Sequence, residues 1–305
     1  MMRVLIGYDG SESADATFEE LKRAGLPADT EILVAAVASI WMPMTDIGSL
    51  PGAEAVASRR VAATVAQLQN KNERTLKEAE EMLREAAARI KFDFPDWQVE
   101  TTILSGDAAS EIIRKAAEWQ ADLIVVGSQN RSAIGRFFLG SVSQKIVIEA
   151  DCSVRVARGE GAKIDKNAAR RIVAGVDGAE TGDLIVEAVA GREWAKESVL
   201  TLVTATDTFN ENAVQPFGQI ITAQEFHKAA REKLSASGLK VLTVVKEGDA
   251  RDKLLIEAEK LSADCIFVGT RDIRGTLDRF LIGSVSAGVA ANAPCSVEVV
   301  RSAGI

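Results

Sequence analysis

Two short glycine-serine segments are the residues of this sequence best suited to chemistry. They are Gly140-Ser141-Val142 and Gly283-Ser284-Val285, and each stands before a stretch with helical spacing. Glycine lets the backbone approach a ligand closely, and the free N–H groups and dipole of a helix start favour an anion. The two segments therefore indicate phosphate binding, although most glycine-serine pairs at helix starts only cap the helix.

The serines of these segments thus have a second, purely structural interpretation. Serine and aspartate side chains commonly accept hydrogen bonds from the free N–H groups at the start of a helix. By this criterion, we expect helix caps at Ser11, Asp107, Ser141, Asp249 and Ser284.

Both segments belong to an internal repeat that spans the 305 residues. An apolar run closed by Asp-Gly occurs twice, and so do a second apolar run closed by glycine and a third that begins with Cys-Ser-Val. The paired segments are 4–10 with 172–178, 122–128 with 264–270, and 152–156 with 295–299. Several matches in the same order indicate a duplicated domain.

The spacing of the repeat shows that the copies differ in length. Asp9 and Asp177 are 168 residues apart, whereas Gly127 and Gly269 are 142 residues apart. The first copy therefore carries 26 extra residues before its glycine loop.

These extra residues are expected between about 40 and 95, and residues 53–91 contain few helix breakers and should form a long helix. The charged, glycine-bearing segment 158–163 has the composition of a linker. We therefore predict one domain at 1–160, with the helical insertion, and a second at 166–305.

Each copy alternates two hydrophobic patterns. Strand candidates such as 122–127 and 264–269 are continuous apolar runs rich in Val and Ile, which is typical of a parallel sheet covered on both faces. Helix candidates space apolar residues by three and four, as Ile112, Ile113 and Ala116 do. The alternation predicts an α/β protein of two tandem doubly wound domains, each with a five-stranded parallel sheet.

The candidate ligand site lies where the strands end, because α/β sheets bind ligands outside the carboxyl ends of their strands. Asp9 and Asp177 end the first strand of each copy, and Gly127 and Gly269 end the fourth. If those strands are neighbours, a carboxylate and a glycine loop flank one crevice, which suits a nucleotide. Alternatively, each aspartate only forms a turn with the glycine that follows it.

The bulk composition excludes several classes of function. The net charge of −8 and the lack of a basic patch argue against binding to nucleic acid or to an anionic membrane surface. The N-terminus lacks the pattern of a signal peptide, and no apolar stretch approaches the ~20 residues that span a bilayer. We therefore expect a cytoplasmic protein.

The few cysteines and the single histidine narrow the chemistry further. Cys152, Cys265 and Cys295 stand in apolar surroundings and are expected to be reduced, buried thiols. Because His227 is the only histidine, a histidine-based metal site and a Ser-His-Asp triad in each repeat are excluded. We identify no catalytic residue and no metal ligand.

The repeated motifs resemble the universal stress protein family, many members of which carry two such domains in one chain. After the fourth strand, the nucleotide-binding branch of the family has glycine, two residues, glycine, nine residues, and glycine-serine. The first copy keeps this spacing with Gly127, Asn130 and Gly140-Ser141, so asparagine, which tolerates a positive φ, replaces the second glycine. The second copy has one extra residue and Asp272, whose carboxylate would repel phosphate.

The resemblance implies an adenine nucleotide alpha hydrolase-like, Rossmann-like fold that binds ATP or a related adenine nucleotide, with or without Mg²⁺, mainly in the first copy. It implies that Asp9 contacts the adenosine part, that Val37 contacts adenine, and that the glycine loop holds ribose and phosphates. The candidate residues of the first copy are Asp9, Val37, Gly127, Asn130, Arg131, Gly140, Ser141 and Val142. Their counterparts in the second copy are Asp177, Val203, Gly269, Gly283, Ser284 and Val285.

The sequence supports a role in phosphate binding less strongly for Arg131 than for the other candidate residues. Arg131 lies within the first glycine loop together with Arg136, and Arg274 and Arg279 lie within the second. Guanidinium groups pair well with phosphate oxygens. Solvated surface arginines would have the same sequence pattern.

The last strand of each copy suggests how the copies pack together. In the resembling family, this strand commonly pairs across a dimer interface. A tandem chain can form the pair internally, with Val154 and Val156 against Val297 and Val299. We therefore expect an intramolecular pseudo-dimer, and leave open whether two chains also form a homodimer.

Three functions are compatible with the sequence. The first is a stress-response protein in which an adenine nucleotide has a regulatory rather than a catalytic role. The second is a nucleotide-free scaffold that acts through protein contacts. The third is a low-activity nucleotide-processing enzyme, against which stand the missing Walker loop, His-Ile-Gly-His motif and Ser-Gly-Gly loop.

Overall fold

The computed structural model describes seven segments of the chain. Three of them begin within a helix, at residues 56, 180 and 216, and their side chains are described from residues 64, 181 and 222 onward. The segments are 1–38, 56–128, 139–159, 164–177, 180–206, 216–270 and 282–302. The first repeat comprises β1 (Met2–Gly7), α1 (Glu12–Leu21), β2 (Thr30–Ala38), α2 (Val56–Asp93), β3 (Gln98–Ser105), α3 (Ala108–Trp119), β4 (Leu123–Gly127), α4 (Ser141–Glu149) and β5 (Ser153–Ala157). The second repeat comprises β6 (Arg171–Gly175), α5 (Glu180–Ala190), β7 (Val199–Thr206), α6 (Pro216–Lys233), β8 (Lys240–Glu247), α7 (Ala250–Lys260), β9 (Cys265–Gly269), α8 (Ser284–Asn292) and β10 (Ser296–Val300), with a short 3-10 turn after α6.

The ten strands form one sheet in the order β3-β2-β1-β4-β5-β10-β9-β6-β7-β8. Neighbouring strands within each repeat are parallel, whereas β5 and β10 are antiparallel. The predicted α/β class and the five parallel strands per repeat are therefore confirmed. The two sheets are joined edge to edge into one.

The central strands are apolar on both faces because helices cover both faces. In β1, Val4, Leu5 and Ile6 are all fully buried. On one face, α3, α4, α7 and α8 pack against a single core that continues across both repeats. On the other face, α1 and α2 form a core with the first repeat, and α5 and α6 form a separate core with the second.

Side-chain caps define the start of three helices. Ser11, Asp107 and Asp249 accept hydrogen bonds from backbone N–H groups in the first turns of α1, α3 and α7. These three predicted caps are confirmed. Each of these side chains provides a hydrogen-bond acceptor for a backbone N–H group that has no partner within its helix.

Most of the extra length of the first repeat lies in α2, which has 38 residues, whereas α6 has 18. Among the described side chains of α2, which begin at residue 64, those that pack closely on the sheet lie near its end and include Leu83, Ala86 and Ile90. Their spacing of three and four places them on one face of the helix. No helix in the described segments is long and apolar enough to cross a membrane.

The strands β5 and β10 form the predicted seam between the repeats. Val156 pairs with Val297, and Val154 pairs with Val299. All four valines are fully buried and belong to the core that continues across both repeats. The predicted intramolecular pairing of the two copies is thus present.

Two arginines add reciprocal contacts across this seam. Arg158, after β5, donates to the carbonyl oxygens of Ala290 and of Ala293, the latter at 2.8 Å, where α8 ends. Arg301, after β10, donates to the carbonyl oxygen of Val147 at 2.5 Å, where α4 ends. Each repeat therefore supplies a cation to the C-terminus of a helix in the other, where the helix dipole favours positive charge.

Candidate functional site

The structure places the two strand ends that flank the predicted crevice side by side in the first repeat. β1 and β4 are neighbours, with Ile6 opposite Val125, so their carboxyl ends lie side by side. Asp9 follows β1, and Gly127 ends β4. The chain proceeds from β1 toward β2 and β3 in one direction and from β4 toward β5 in the other. This reversal point is where open α/β sheets bind ligands.

Asp9 forms the turn that was the alternative interpretation of this residue, and its side chain remains accessible. Its Oδ1 accepts a hydrogen bond of 3.0 Å from the backbone N–H of Ser11, which forms a turn before α1. The side chain is exposed at the mouth of the crevice. A turn-forming role therefore does not remove this carboxylate from contact with a ligand.

Gly127 is required by close packing at the end of β4. A Cβ atom at this position would lie 2.2 Å from the carbonyl oxygen of Ser13, in the first turn of α1. In the second repeat, a Cβ at Gly269 would lie 2.2 Å from Cγ2 of Thr181. The need for glycine at both positions is therefore explained without a ligand, because the absence of a side chain lets a helix start lie directly against a strand end.

Ser143 and Ser286 hold the next helix over the same strand end, and the sequence reasoning missed them. Ser143 Oγ donates to the carbonyl oxygen of Gly127 at 2.7 Å, and Ser286 Oγ donates to that of Gly269 at 2.5 Å. The sequence did contain a signal for this shared role, because a serine follows Gly-Ser-Val in both copies.

The starts of α4 and α8 differ from the prediction in one respect. Their N-cap residues are Gly140 and Gly283, and neither helix start has a side-chain cap. Ser141 and Ser284 already lie inside the helix, so the prediction that they act as caps is wrong. Among the described residues, the N–H groups of these first turns therefore lack the N-cap side chain that α1, α3 and α7 have, and Ser141 is exposed.

The two valines predicted to contact adenine do not occupy equivalent positions. Gly7 pairs with Ala35 in the first repeat, and Gly175 pairs with Val203 in the second. The counterpart of Val203 is therefore Ala35, and Val37 lies two residues further along β2. Val37 is half-buried, whereas Val203 is only 2% exposed. The predicted equivalence of Val37 and Val203 is wrong, because Val37 lies two residues further along its strand than the counterpart of Val203, although on the same face.

The second repeat reproduces the described framework of the crevice. β6 and β9 are neighbours, so exposed Asp177 and Gly269 again lie at adjacent strand ends. Gly283 has open space where its Cβ would be, and Val285 is half-buried. In the first repeat, the equivalent Val142 is 38% exposed.

The residues that distinguish the two glycine loops lie outside the described segments. These residues are Asn130, Arg131 and Arg136 in the first loop, and Asp272, Arg274 and Arg279 in the second. The described strand ends and helix starts of the two sites are alike, and the main chemical difference between the sites lies in the sequences of their glycine loops.

The thiols are poor nucleophiles in this fold. The three cysteines form no disulfide, and Cys265 and Cys295 are buried. Burial raises the pKa of Cys152 and of Cys295 to about 12, and it also raises that of Cys265. Because the thiolate is the reactive form, these groups are inert at neutral pH.

The single histidine is buried in the second repeat. His227 on α6 is 5% exposed, and its Nε2 is 2.9 Å from Oγ1 of Thr204 on β7. Burial, assisted by the charge of Arg231, lowers its pKa. Within the segments that the structure describes, no three His, Cys, Asp or Glu side chains are grouped as a metal site requires.

A cavity of about 440 Å³ lies beside the seam, not in the crevice. Its lining includes Asp122 and Ser153, at the amino ends of first-repeat strands, and Arg301 from the second repeat. The crevice lies at the carboxyl ends of those first-repeat strands, so the cavity is separate from the candidate site.

Comparison with known proteins places both repeats in one family. The model of the universal stress protein family matches residues 1–158 and residues 168–301. Each match covers one set of five strands.

Individual relatives agree with the family match. A universal stress protein of Thermus aquaticus is 31% identical over 155 residues, which are 51% of this chain and 97% of the relative. A universal stress protein of Mycobacterium tuberculosis H37Rv is 28% identical over 194 residues, which are 60% of this chain and 62% of the relative. The latter alignment extends beyond the length of one repeat.

A solved structure has the same two-repeat extent. The crystal structure of a universal stress protein from Archaeoglobus fulgidus DSM 4304 matches with a TM-score of 0.66 and 20% sequence identity. The match covers 98% of each chain. At this level of identity, the similarity concerns the fold.

Proposed function

The chain belongs to the universal stress protein family, and we propose that it binds ATP or a related adenine nucleotide in the crevice of its first repeat, in a regulatory and not a catalytic role. One observation carries the proposal. The start of α4 has no side-chain cap, and Ser143 holds that helix start over the end of β4 at the reversal point of the sheet.

The helix start is suited to phosphate. Its first-turn N–H groups point away from the helix, and the helix dipole adds partial positive charge at the same place. Gly140 in the N-cap position presents no side chain that would compete with an anion. Phosphates at Gly140, Ser141 and Val142 would satisfy donors that α1, α3 and α7 satisfy with their own side chains.

The remaining candidate residues surround this position. Asp9 would accept hydrogen bonds from the ribose hydroxyls, since its carboxylate is exposed at the neighbouring strand end. Val37, half-buried on β2, would contact adenine. Gly127 keeps the backbone of β4 close to α1, and Asn130 and Arg131 belong to the loop that follows.

The loop sequences favour the first repeat over the second. The described strand ends and helix starts are alike apart from their valines, so the choice between the repeats rests on the sequences of residues 129–138 and 271–281. The first loop keeps the family spacing with Asn130, whereas the second is one residue longer and carries Asp272. A carboxylate beside phosphates raises the electrostatic free energy of the bound state unless a cation intervenes.

A regulatory role agrees with the chemistry around the crevice. Burial keeps the thiols of Cys152 and Cys295 protonated at neutral pH, and Cys265 and His227 are buried in the second repeat, away from the proposed site. Binding to the folded state alone would stabilise the chain in proportion to the logarithm of nucleotide concentration. Through such a change in stability, the bound nucleotide would control how the chain interacts with a partner protein.

A matched pair of substitutions tests the proposal. Ser141→Glu places a carboxylate in the first turn of α4, where it favours the helix but repels phosphate. Ser284→Glu does the same in α8, at the equivalent exposed position. We expect isothermal calorimetry to detect ATP binding to the unmodified chain and to Ser284→Glu, but not to Ser141→Glu.

Other outcomes would redirect the assignment. Loss of binding in Ser284→Glu alone would move the site to the second repeat. No binding of ATP, ADP or AMP to the unmodified chain would favour the scaffold that acts through protein contacts. Rapid ATP turnover, retained in both variants, would favour a nucleotide-processing enzyme.

We also propose the domain boundaries 1–160 and 166–305. β5 ends at Ala157 and β6 begins at Arg171. Between them, the backbone N–H of Ile164 donates to Glu19 Oε2 at 2.9 Å, so the connection returns to α1 before the second sheet begins. Proteolysis confined to residues 160–166 would support these boundaries.

A further inference from the structure

The antiparallel pair β5–β10 places one residue of each repeat on a local pseudo-twofold axis. Arg155 of β5 is opposite Glu298 of β10. The two positions are also equivalent in the repeat, since Cys-Ser-Val precedes both. An axis through this pair therefore exchanges the two repeats, and the residue at this position meets its own counterpart.

The two faces of the pair differ in character. One face carries the four buried valines. The other carries Arg155 and Glu298, which lie between α1 and α5 and meet one further charge from each repeat: Glu20 on α1 and Arg192 directly after α5.

These four side chains form a line of alternating charge, which we call the charge line. Glu20 Oε1 is 2.6 Å from Arg155 Nη2, Arg155 Nη1 is 2.8 Å from Glu298 Oε2, and Glu298 Oε1 is 2.6 Å from Arg192 Nη2. None of the four is more than 6% exposed. The first repeat contributes Glu20 and Arg155, and the second contributes Glu298 and Arg192.

The line does not follow the symmetry of the repeat. At the axis, the first repeat has a cation and the second has an anion. If two first repeats paired through β5 in the same register, Arg155 would face Arg155. If two second repeats paired through β10, Glu298 would face Glu298.

Such like pairs would bury two equal charges in contact, away from water. A buried ion pair is weak evidence for net stability, because its desolvation offsets much of its attraction. Its effect on the choice of partner is larger, since a like partner replaces the central attraction between Arg155 and Glu298 with a repulsion between equal charges.

We propose that the charge line makes the seam selective: the β5 edge of the first repeat accepts only the β10 edge of a second repeat, and pairing of like repeats is excluded. The proposal is independent of nucleotide binding. It predicts which charge excludes which like pair, because Arg155 acts only against pairs of first repeats and Glu298 only against pairs of second repeats.

The outermost charges retain partners when one central charge is removed. Without Arg155, Glu20 keeps Arg23 Nε at 3.2 Å and Ser296 Oγ at 2.7 Å. Without the charge of Glu298, Arg192 keeps the carbonyl oxygen of Ala24 at 3.2 Å. Single neutral substitutions at the axis are therefore suitable probes.

The experiment uses the full chain with a protease recognition sequence inserted within residues 160–163. The purified chain is cleaved, allowed to exchange partners in mild urea, returned to buffer and analysed by native mass spectrometry. The repeats differ in mass, so the first–second, first–first and second–second pairs are resolved. Variants are Arg155→Met, Glu298→Gln, and Val299→Ala as a control that weakens the apolar face of the same strand pair.

The expected result is directional. The unmodified chain and Val299→Ala give only first–second pairs. Arg155→Met produces first–first pairs and no second–second pairs, so that some second repeats are left unpaired, and Glu298→Gln does the reverse. A purely cohesive role of these charges would weaken all pairs together and release no particular like pair.

Three results would overturn the proposal. They are like pairs in the unmodified chain, no like pairs in either variant, and both kinds of like pair in a single variant. If one variant failed to fold as an intact chain by circular dichroism, the other would still give a decisive answer.

Discussion

Ser143 on α4 donates a hydrogen bond of 2.7 Å to the carbonyl oxygen of Gly127, the last residue of β4. This contact joins the start of a helix to the end of a strand at the point where the sheet reverses direction. Ser286 makes the same contact with Gly269 in the second repeat. The two serines therefore provide a natural comparison between the proposed nucleotide site and its counterpart.

The first prediction concerns this pair of serines. Ser143→Ala removes the bond that orients the uncapped start of α4, so ATP should bind about tenfold more weakly to this variant. Ser286→Ala removes the equivalent bond in the second repeat and should leave ATP affinity unchanged. Isothermal calorimetry measures both, and equal losses in the two variants would contradict a site confined to the first repeat.

The second prediction concerns the packing of α1 on β4. Gly127→Ala places a Cβ atom 2.2 Å from the carbonyl oxygen of Ser13, so the helix start must move. We expect the free energy of unfolding in urea to fall by about 1–3 kcal/mol. Gly191→Ala is the control, because its Cβ would meet nothing closer than 3.4 Å, and it should change stability by less than about 1 kcal/mol. Similar losses in both variants would mean that close packing is not the reason for Gly127.

The third prediction concerns the reciprocal arginines of the seam. Arg158→Met removes donors to the carbonyl oxygens at the end of α8, although the substitution lies in the other repeat. Hydrogen exchange followed by mass spectrometry should therefore show faster exchange in α8. Arg301→Met should have the corresponding effect on α4.

An exposed arginine serves as the control for that measurement. Arg114 pairs only with Glu111 and Glu118 on its own helix in the ion pairs described, so Arg114→Met should alter neither α4 nor α8. If Arg158→Met accelerated exchange only near its own position, the contacts across the seam would have no effect on helix stability.

The fourth prediction concerns the buried thiols at alkaline pH. Folding raises the pKa of Cys152 and Cys295 from about 9 to about 12 through burial, so the folded chain holds protons that the unfolded chain releases. The stabilisation is complete below pH 9 and is lost as the pH rises toward 12. The free energy of unfolding should fall by up to about 1.4 kcal/mol per pH unit for each thiol in that range.

A variant that replaces Cys152, Cys265 and Cys295 with alanine isolates this effect. Tyr8 also titrates with a pKa raised to about 12, by burial and by its hydrogen bond to Asp15, so the comparison rests on the difference between the two chains. The cysteine-free variant should lose stability less steeply between pH 9 and 11 in urea titrations. Identical slopes would show that the thiols ionise in the folded chain.

Much of the architecture could be predicted because its signals are local. The apolar runs rich in Val and Ile gave the strands, and spacings of three and four, as in Ile112 and Ala116, gave the helices. The duplication gave two copies of the same order of elements. The pairing of β5 with β10 followed only from the family resemblance, and the structure confirms it.

The candidate site was predicted less completely. The sequence placed Asp9 and Gly127 at strand ends that flank one crevice if β1 and β4 are neighbours, and the structure shows that these strands are neighbours. The capping role predicted for Ser141 was wrong, because Ser141 lies inside α4, and the contact with the strand end is made by Ser143, two residues later. A shift of two residues changes the direction of a helical side chain, and sequence does not locate a helix start with that accuracy.

The sequence by itself determined that this chain is a duplicated α/β protein with a glycine-serine helix start in each copy, because periodicity and repetition are properties of neighbouring residues. Only the tertiary structure decided that Val203 corresponds to Ala35, and that Arg155 meets Glu298 between α1 and α5. These relations depend on the register of paired strands and on which face each side chain occupies. The residues concerned are distant in the chain, so no local pattern encodes their contact.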